Sequence, residues 1–435
     1  MSDGRFSQRV AINTSVFDDE GERVRKSRMW ADPQMDGTAA VVCALADYVN
    51  LATDGQKRAL GSHLVNSACK SIAKAVNYLV AEDNMTWCAW EERYDRLFHS
   101  DAHMIKALKI VSTKGAMGEP PLALTLIKKG DMVNVAKIRA RMRKLGEGIR
   151  DYLDITDGDR QDMERFLGRR PRTDELWIKE GKSAPGWRYI GNQDHGPINS
   201  TAIEAVVETG VLPLSHPSVL SHILLMDELS AKAAPRVNSV DDPKRRHSIM
   251  WVRYPGDIFD PELGYQGRGK THGHLWSICT MWPAQHAYKL AHDYLESGRI
   301  VLEHTRQIDF INRAIEVSGG AQLQKPGADE DGSLHAPVVI DRAKEPQLFD
   351  SVISGIWGWG DRRFSEITKR FNQNPSSAPQ LTEDMAERRI PEQYHTDTGQ
   401  PYGERSLTWA YREFITAVQY RADLLGDWVK RPKIN

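Results

Sequence analysis

Apolar residues return every three or four positions along most of the chain, the period of one helix face. Ala39, Val42, Ala46 and Val49 predict a helix over Thr38–Ala52. Leu60, Leu64, Ala68, Ile72 and Val76 predict a second over Gln56–Val80. Further helices are predicted over His99–Ile110, Asp131–Leu153, Asn199–Glu208, Ser218–Ala234, His272–Leu295 and Leu302–Val317. Leu348–Phe371 reads as helical with an interruption at Gly355–Gly360. Leu407, Tyr411, Phe414, Ile415 and Val418 place a last helix over Ser406–Val429. The sum is about ten helices without a convincing strand pair.

The connections are long. Residues 1–29 read as an irregular arm, and 154–190 are charged and Pro/Gly-rich, as a surface elaboration would be. Residues 318–336 and 372–405 read as loops. Helical hairpins that cannot bury their apolar faces alone must stack. A ring of such hairpins, an (α/α) toroid, satisfies that need, and no fixed-period repeat argues for a solenoid. The expected fold class is all-α. On a prior of roughly 150 residues per domain the length leaves room for about two or three, but large single domains are common. The expectation is one domain over 1–435, with 118–195 as a divergent, insertion-like region.

Charge and cysteine content remove several function classes. The formal net charge of −1 gives no electrostatic reason for a nucleic-acid or membrane partner. The basic residues Lys137, Arg139, Arg141, Arg143 and Lys144 sit on one predicted helix, without the aromatic neighbours of a single-strand binding face. They read as a solvated face. Cys43, Cys69, Cys88 and Cys279 form no CxxC pair. No GxSxG elbow is present, and no lone cysteine has a His partner near it in sequence. The N-terminus lacks an apolar signal core, so the sequence as it stands reads as cytoplasmic, or as secreted if an N-terminal segment is missing. The expected state is a monomer.

Two motifs need weighing. Gly264–Thr271 fits GxxxxGK[ST], but that loop needs a buried strand before it, and Ile258–Leu263 contains Pro261 and two acids. It reads as a glycine loop. His272 and His274, with His286 further along, have metal-like spacing but no Cys or acid to complete a zinc site.

Carboxylate chemistry remains. Thr86–Asp95 holds Glu91 and Glu92 directly behind Trp90, with Trp87 and Tyr94 nearby. A carboxyl pressed against an indole is partly desolvated, which favours its neutral form and suits a general acid. The plainer reading, a packed aromatic loop with the glutamates in water, stays open on this stretch alone. Glu392 is a second acid beside an aromatic residue, Tyr394, ahead of the last helix.

Four blocks in order resemble the glucoamylases, family 15 of the glycoside hydrolases. They are Trp30-x-x-Pro33-Gln34-x-Asp36-Gly37; Trp90-Glu91-Glu92; Arg253-Tyr254-Pro255-x-Asp257 with Trp276-x-x-Cys279-Thr280; and Glu392-Gln393-Tyr394 with Leu407-Thr408-Trp409-x-Tyr411. The resemblance implies an (α/α)6 barrel and an inverting hydrolysis that releases glucose from non-reducing ends of α-1,4- or α-1,6-linked glucans. It implies Glu91 as general acid and Glu392 as general base, with carboxyls roughly 6.5–9.5 Å apart to admit water. It implies that Glu92, Trp30, Trp90, Arg253, Asp257 and Trp276 bind substrate, an oligo- or polysaccharide, and that no metal or organic cofactor takes part. Departures accompany it. Nothing before Trp30 matches the family's Trp-x-Arg-Asp segment, which leaves the ring incomplete at its N-terminus or the pocket built differently. Asp32 and Thr38 replace the common Arg and Pro, and 115–245 match poorly. The rival expectations are a related enzyme acting on trehalose, isomaltose or dextran ends, and a sugar-binding or regulatory protein with an impaired site.

Overall fold

The structure, a computed structural model, describes residues 35–51, 62–81, 85–87, 89, 93–113, 122, 133–183, 188–189, 196–238, 249–257, 274–371, 390–399, 401–402 and 408–429. These belong to two compact units: Met1–Tyr152 with Glu180–Asn192, and Leu153–Lys179 with Gln193–Asn435.

The first unit holds helices α1 (Met35–Leu51), α2 (Ser62–Ala81), α3 (Phe98–Ser112) and α4 (Val135–Ile149). Met35, Ala39, Val42, Ala46 and Val49 are the buried line of α1, at the predicted spacing. On α2 the buried line is Ala68, Cys69, Ile72, Val76 and Leu79, while Leu64 is exposed. Four of the five basic residues on α4 face solvent as expected. Arg141 does not: it is buried, and its Nε donates to the Leu79 carbonyl at 3.2 Å. An arginine stem packs well against apolar surface while its head finds an orphaned helix-end carbonyl.

A three-stranded antiparallel sheet accompanies these helices. It comprises β1 (Met85–Trp87), β2 (Arg93–Arg96) and β3 (Arg188–Tyr189), in that order. Asp101 of α3 is buried and accepts from the Tyr152 hydroxyl at 2.8 Å. Burial raises its carboxyl to about 6, against the pull of the Tyr152 hydrogen bond and of Lys182, Arg141 and Arg96.

The second unit adds α5 (Asp157–Leu167), α6 (Thr201–Thr209), α7 (Pro217–Ala233), α8 (Ser277–Ser297), α9 (Thr305–Ser318), α10 (Pro346–Phe371) and α11 (Thr408–Val429). Every residue of α8 from Ser277 to Tyr288 is buried, so this half of the helix is enclosed on all sides, while Asp293 and Glu296 near its end are exposed. It packs against α6, α10 and α11. Two short sheets join the helices. β5 (Arg299–His304) pairs with β6 (Ser333–Asp341), and β4 (Leu275–Trp276), β7 (Gln393–Tyr394) and β8 (Pro401–Tyr402) form the order β4-β7-β8.

Several expectations need correcting. Strand pairs exist in both units. Arg299–His304 alternates exposed and buried, a period-two pattern that ends the predicted helix over Leu302–Val317 at Thr305 on its N-terminal side. Its partner β6 begins inside the stretch read as a loop over 318–336. The helix predicted from His272 begins at Ser277, after strand β4. The glycines of Gly355–Gly360 do not interrupt α10. A Cβ on Gly355 would lie 2.8 Å from the Ala314 backbone of α9, and one on Gly360 3.0 Å from the Tyr288 ring of α8. They are sites where α10 approaches its neighbours closely. The stretch 154–179 is no surface elaboration. Thr156 and Asp159 form a capping box for α5, and Trp177 and Ile178 are fully buried. On α11 the buried line is Ala410, Glu413, Ala417 and Leu424, whereas Ile415 and Val418 are exposed. The arm 1–29 and residues 372–389 lie outside the described residues. Among the described residues no helix is long and apolar enough to cross a membrane.

The centre of this unit carries a buried ion pair. Arg363 of α10 and Asp227 of α7 are both fully buried, and Arg363 Nη2 lies 2.6 Å from each Asp227 oxygen. Asp227 also accepts from Trp251 Nε1 at 2.7 Å, and Arg363 Nη1 donates to the Ile249 carbonyl at 2.7 Å. The guanidinium carbon sits 3.9 Å from the centroid of the Trp359 ring.

Removing one partner of such a pair strands the other charge in a dry environment. Asp227→Asn is expected to destabilise the chain by about 3–5 kcal/mol in urea titration, and Asp227→Leu with Arg363→Met to recover much of that loss. Asp101 carries a sign that can be checked. Its folded pKa lies above its ordinary value of 3.8, so the folded state holds the extra proton and stability falls as pH rises from about 4 to about 6. Asp101→Asn should abolish that part of the slope, on the order of 2–3 kcal/mol, in denaturant midpoints measured across pH 4–7.

Candidate functional site

The predicted residues of the second unit converge. Tyr254-Pro255-Gly256-Asp257 is a tight turn in which Asp257 N donates to the Tyr254 carbonyl at 3.3 Å. Pro255 presets its own φ, and Gly256 takes φ +81, the conformation a type II turn demands at that place. The turn folds the chain back so that Arg253 meets Asp257. Arg253 Nε donates to Oδ2 at 2.8 Å and Nη2 to Oδ1 at 2.6 Å, a two-point contact between side chains only 3% and 1% exposed. The guanidinium lies 4.9 Å from the centre of the Trp276 ring and 5.1 Å from that of Tyr254.

Backbone contacts anchor this turn on both sides. Gly196 N and Ser200 N donate to the carbonyls of Pro255 and Arg253 at 3.0 and 2.9 Å. Trp251 N donates to Thr280 Oγ1 of α8 at 3.0 Å, and Trp276 N donates to the Trp251 carbonyl at 2.8 Å. Thr280 and Cys279 belong to the same short block as Trp276. The Cys279 thiol is buried, accepts from Ser200 Oγ at 3.3 Å, and is pushed well above its ordinary pKa by desolvation. A thiol held neutral in this way is a core residue rather than a nucleophile.

Glu392 reaches the same place through the β4–β7 pairing. Leu275 pairs with Tyr394 and Trp276 with Gln393, so Glu392 follows directly beyond the residue facing Trp276. Its side chain is half-buried. Ser277 N donates to the Glu392 carbonyl at 3.1 Å, and Ser277 Oγ donates to the Pro391 carbonyl. Gln393 and Tyr394 are fully buried. His274 is buried with its ring 4.5 Å from Tyr402 and 5.4 Å from His395.

Arg253, Asp257, Trp276 and Glu392 are therefore brought together. Trp30, Trp90, Glu91 and Glu92 lie outside the described residues, and so does Gly264–Thr271. The described strands bordering Glu91 and Glu92 are β1 and β2, in register with Trp87 opposite Tyr94. Ser277, Ser200 and Thr280 went unnoticed in the sequence as supports of this locus. Only Thr280 gave a signal, as part of the Trp-x-x-Cys-Thr block.

The remaining histidine and carboxylate candidates resolve differently. His272 lies outside the described residues, and His286 is buried with Nε2 2.8 Å from the Leu214 carbonyl. Desolvation lowers His286 to about 4, a neutral core histidine. His292, Asp293 and Glu296 bring ligand atoms within 4.8 Å of one another near the end of α8. His292 Nε2 already lies 2.7 Å from an Asp427 carboxylate oxygen. Glu413 is fully buried on α11 and accepts from Gln285 Nε2, Trp409 Nε1 and Arg412 Nη1 at 2.9, 3.1 and 2.7 Å. Desolvation lifts it to about 7 against the attraction of Arg412, with Glu204 adding to the rise.

The family model for glycosyl hydrolases family 15 matches residues 4–419, and the chain belongs to that family. It is 23% identical over 407 residues to a glucoamylase of Blastobotrys adeninivorans, covering 91% of this chain and 54% of that protein. Among solved structures, the glucoamylase of Saccharomycopsis fibuligera is similar at TM-score 0.62 and 19% identity, over 94% of this chain and 74% of that one. The family 15 glucoamylase of Hypocrea jecorina is similar at TM-score 0.61 and 16% identity, over 91% and 53%. The chain thus spans about half the length of the Blastobotrys and Hypocrea relatives. The shared fold is the (α/α)6 helical barrel that the sequence suggested.

Arg253→Lys keeps the charge but loses the two-point contact with Asp257 and the flat stack on Trp276. It is expected to lower stability by about 1–3 kcal/mol in chemical denaturation, while a surface control such as Arg139→Lys changes nothing measurable.

Proposed function

We propose that the chain is an inverting glycoside hydrolase releasing glucose from the non-reducing ends of α-1,4-linked glucans, with α-1,6 linkages as secondary substrates. It acts as one catalytic domain over 1–435 and as a monomer, without metal or organic cofactor. The observation that carries this reading is membership of glycosyl hydrolases family 15 across residues 4–419. The gathering of Arg253, Asp257, Trp276 and Glu392 around one strand pairing supports it.

In this mechanism Glu91 gives its proton to the glycosidic oxygen as the bond from that oxygen to the anomeric carbon breaks. A water adds to the anomeric carbon from the opposite face and loses its proton to the Glu392 carboxylate, so the configuration inverts. The two carboxyls end with their protonation states exchanged, and proton transfer with solvent resets them. Glu92, Trp30 and Trp90 contact the sugar chain. Arg253 donates hydrogen bonds to sugar hydroxyls with its plane set by Asp257, and Trp276 closes the wall behind it. A guanidinium held by a carboxylate and flanked by indole and phenol rings costs little further ordering when a sugar arrives.

Proton NMR of maltotriose hydrolysis by the purified chain should show β-glucose first, with the α anomer appearing only by mutarotation. Glu91→Gln and Glu392→Gln should each lower kcat by roughly 10²–10⁴ with the helical circular dichroism unchanged. Early α-glucose, or full turnover in either variant, would overturn this reading.

A further inference from the structure

Ser277 lies where the first turn of α8, whose residues Ser277–Tyr288 are all buried, meets the segment that carries Glu392. Its own side chain is 1% exposed. It makes two contacts to consecutive carbonyls of that segment. The backbone N–H donates to the Glu392 carbonyl at 3.1 Å, and the hydroxyl donates to the Pro391 carbonyl. Pro391 itself has no N–H with which to join a ladder, so its carbonyl is what remains to hold it. One residue further on, Gln393 enters the pairing with Trp276. Glu392 is therefore bracketed: by Ser277 at its own carbonyl and the one before, and by a strand pairing just after.

We propose that Ser277 is a positioning residue for Glu392, holding the backbone that aims its carboxylate at the attacking water. This rests on the assignment of Glu392 as general base above. The hydroxyl has no part in binding sugar. It fixes the ψ angle of Pro391 and the peptide plane that joins it to Glu392, and so the direction in which the Glu392 Cα–Cβ bond leaves the chain. The other first-turn residues of α8 offer no substitute. Ile278 and Cys279 have no hydroxyl, and the Thr280 hydroxyl is committed to the Trp276 carbonyl and the Trp251 N–H. A misplacement of about 1 Å at a reacting group costs on the order of 10²-fold in rate.

The test is steady-state hydrolysis of maltotriose by Ser277→Ala, Ser277→Thr and Glu392→Gln beside the parent chain, with melting temperatures of all four. Ser277→Ala should lose about 10- to 100-fold in kcat with KM within about twofold, because transition-state alignment suffers and ground-state sugar binding does not. Ser277→Thr keeps the hydroxyl and should return kcat to within about threefold of the parent. A purely structural tether would lower the melting temperature and leave kcat intact at temperatures where the protein is folded. The inference is overturned by parental kcat in folded Ser277→Ala, by a loss that falls on KM, or by a Ser277→Thr chain as impaired as Ser277→Ala. Should Ser277→Ala not fold, Ser277→Cys, which keeps the side-chain size but donates only weakly, takes its place under the same criteria. Glu392→Gln separates the two readings. If it is inactive while Ser277→Ala is parental, only the positioning role fails; if it turns over normally, the assignment of the base fails as well.

Discussion

The second unit is arranged around the contact between Asp227 and Arg363. Both are fully buried, so neither charge could exist there without the other. An apolar pair of similar volume would serve stability as well or better. What the ionic pair adds is direction. The carboxylate must face the guanidinium fork, the fork must also reach the Ile249 carbonyl, and the carboxylate must also take the Trp251 indole N–H. Three separate pieces of chain, α7, α10 and the segment 249–251, are therefore tied to one mutual arrangement by the two Nη groups and the indole N–H, while the buried Arg363 Nε stays without a hydrogen-bond partner.

From Trp251 the constraint passes along the chain to the candidate site. Its backbone N–H binds Thr280 and its carbonyl binds Trp276 N, so the position of Trp251 fixes the start of α8 relative to the 251–257 segment. Two residues later Arg253 enters the turn that closes on Asp257, and the guanidinium rests on Trp276. The turn needs a glycine at Gly256, because its φ of +81 lies in the region where a Cβ is penalised. Each step is short-ranged, and each places the next residue within a narrow set of positions.

How much of this could be read from the sequence follows from the range of the forces involved. Helix faces were legible because their period is local: the buried line of α1 falls on Ala39, Val42, Ala46 and Val49 as the spacing required. The Arg253 turn was legible as a resemblance, and Pro255-Gly256 is a turn signal in its own right. Two-residue strands are not legible. Leu275–Trp276 has no room for alternation, and its partner lies more than a hundred positions away at Gln393–Tyr394. The Gly355–Gly360 stretch misled for a related reason. A glycine in a helix costs propensity locally, but here the missing side chains let α10 lie against Ala314 and Tyr288, and tertiary packing outweighs the propensity. Ser277 escaped notice, and Arg141 was read with its neighbours as solvated, because a single serine or arginine carries no pattern of its own; their meaning lies in carbonyls of remote segments.

The brevity of β4 and β7 bears on how the site keeps its register. In a strand the side chains alternate, so a slip of one residue would turn Gln393 away from the Trp276 face and put Glu392 or Tyr394 in its stead. Two paired residues alone hold register weakly, because few ladder bonds resist the slip. Here the β4–β7 pairing is reinforced by contacts outside it. On one side the first turn of α8 takes the Pro391 and Glu392 carbonyls through Ser277. On the other, β8 pairs Tyr402 with Gln393 and Pro401 with Tyr394. The strand is therefore tied to the half of α8 that is enclosed on every side. The position of Glu392 is thus inherited from α8, and α8 in turn takes its place from the segment that the Asp227–Arg363 pair locks.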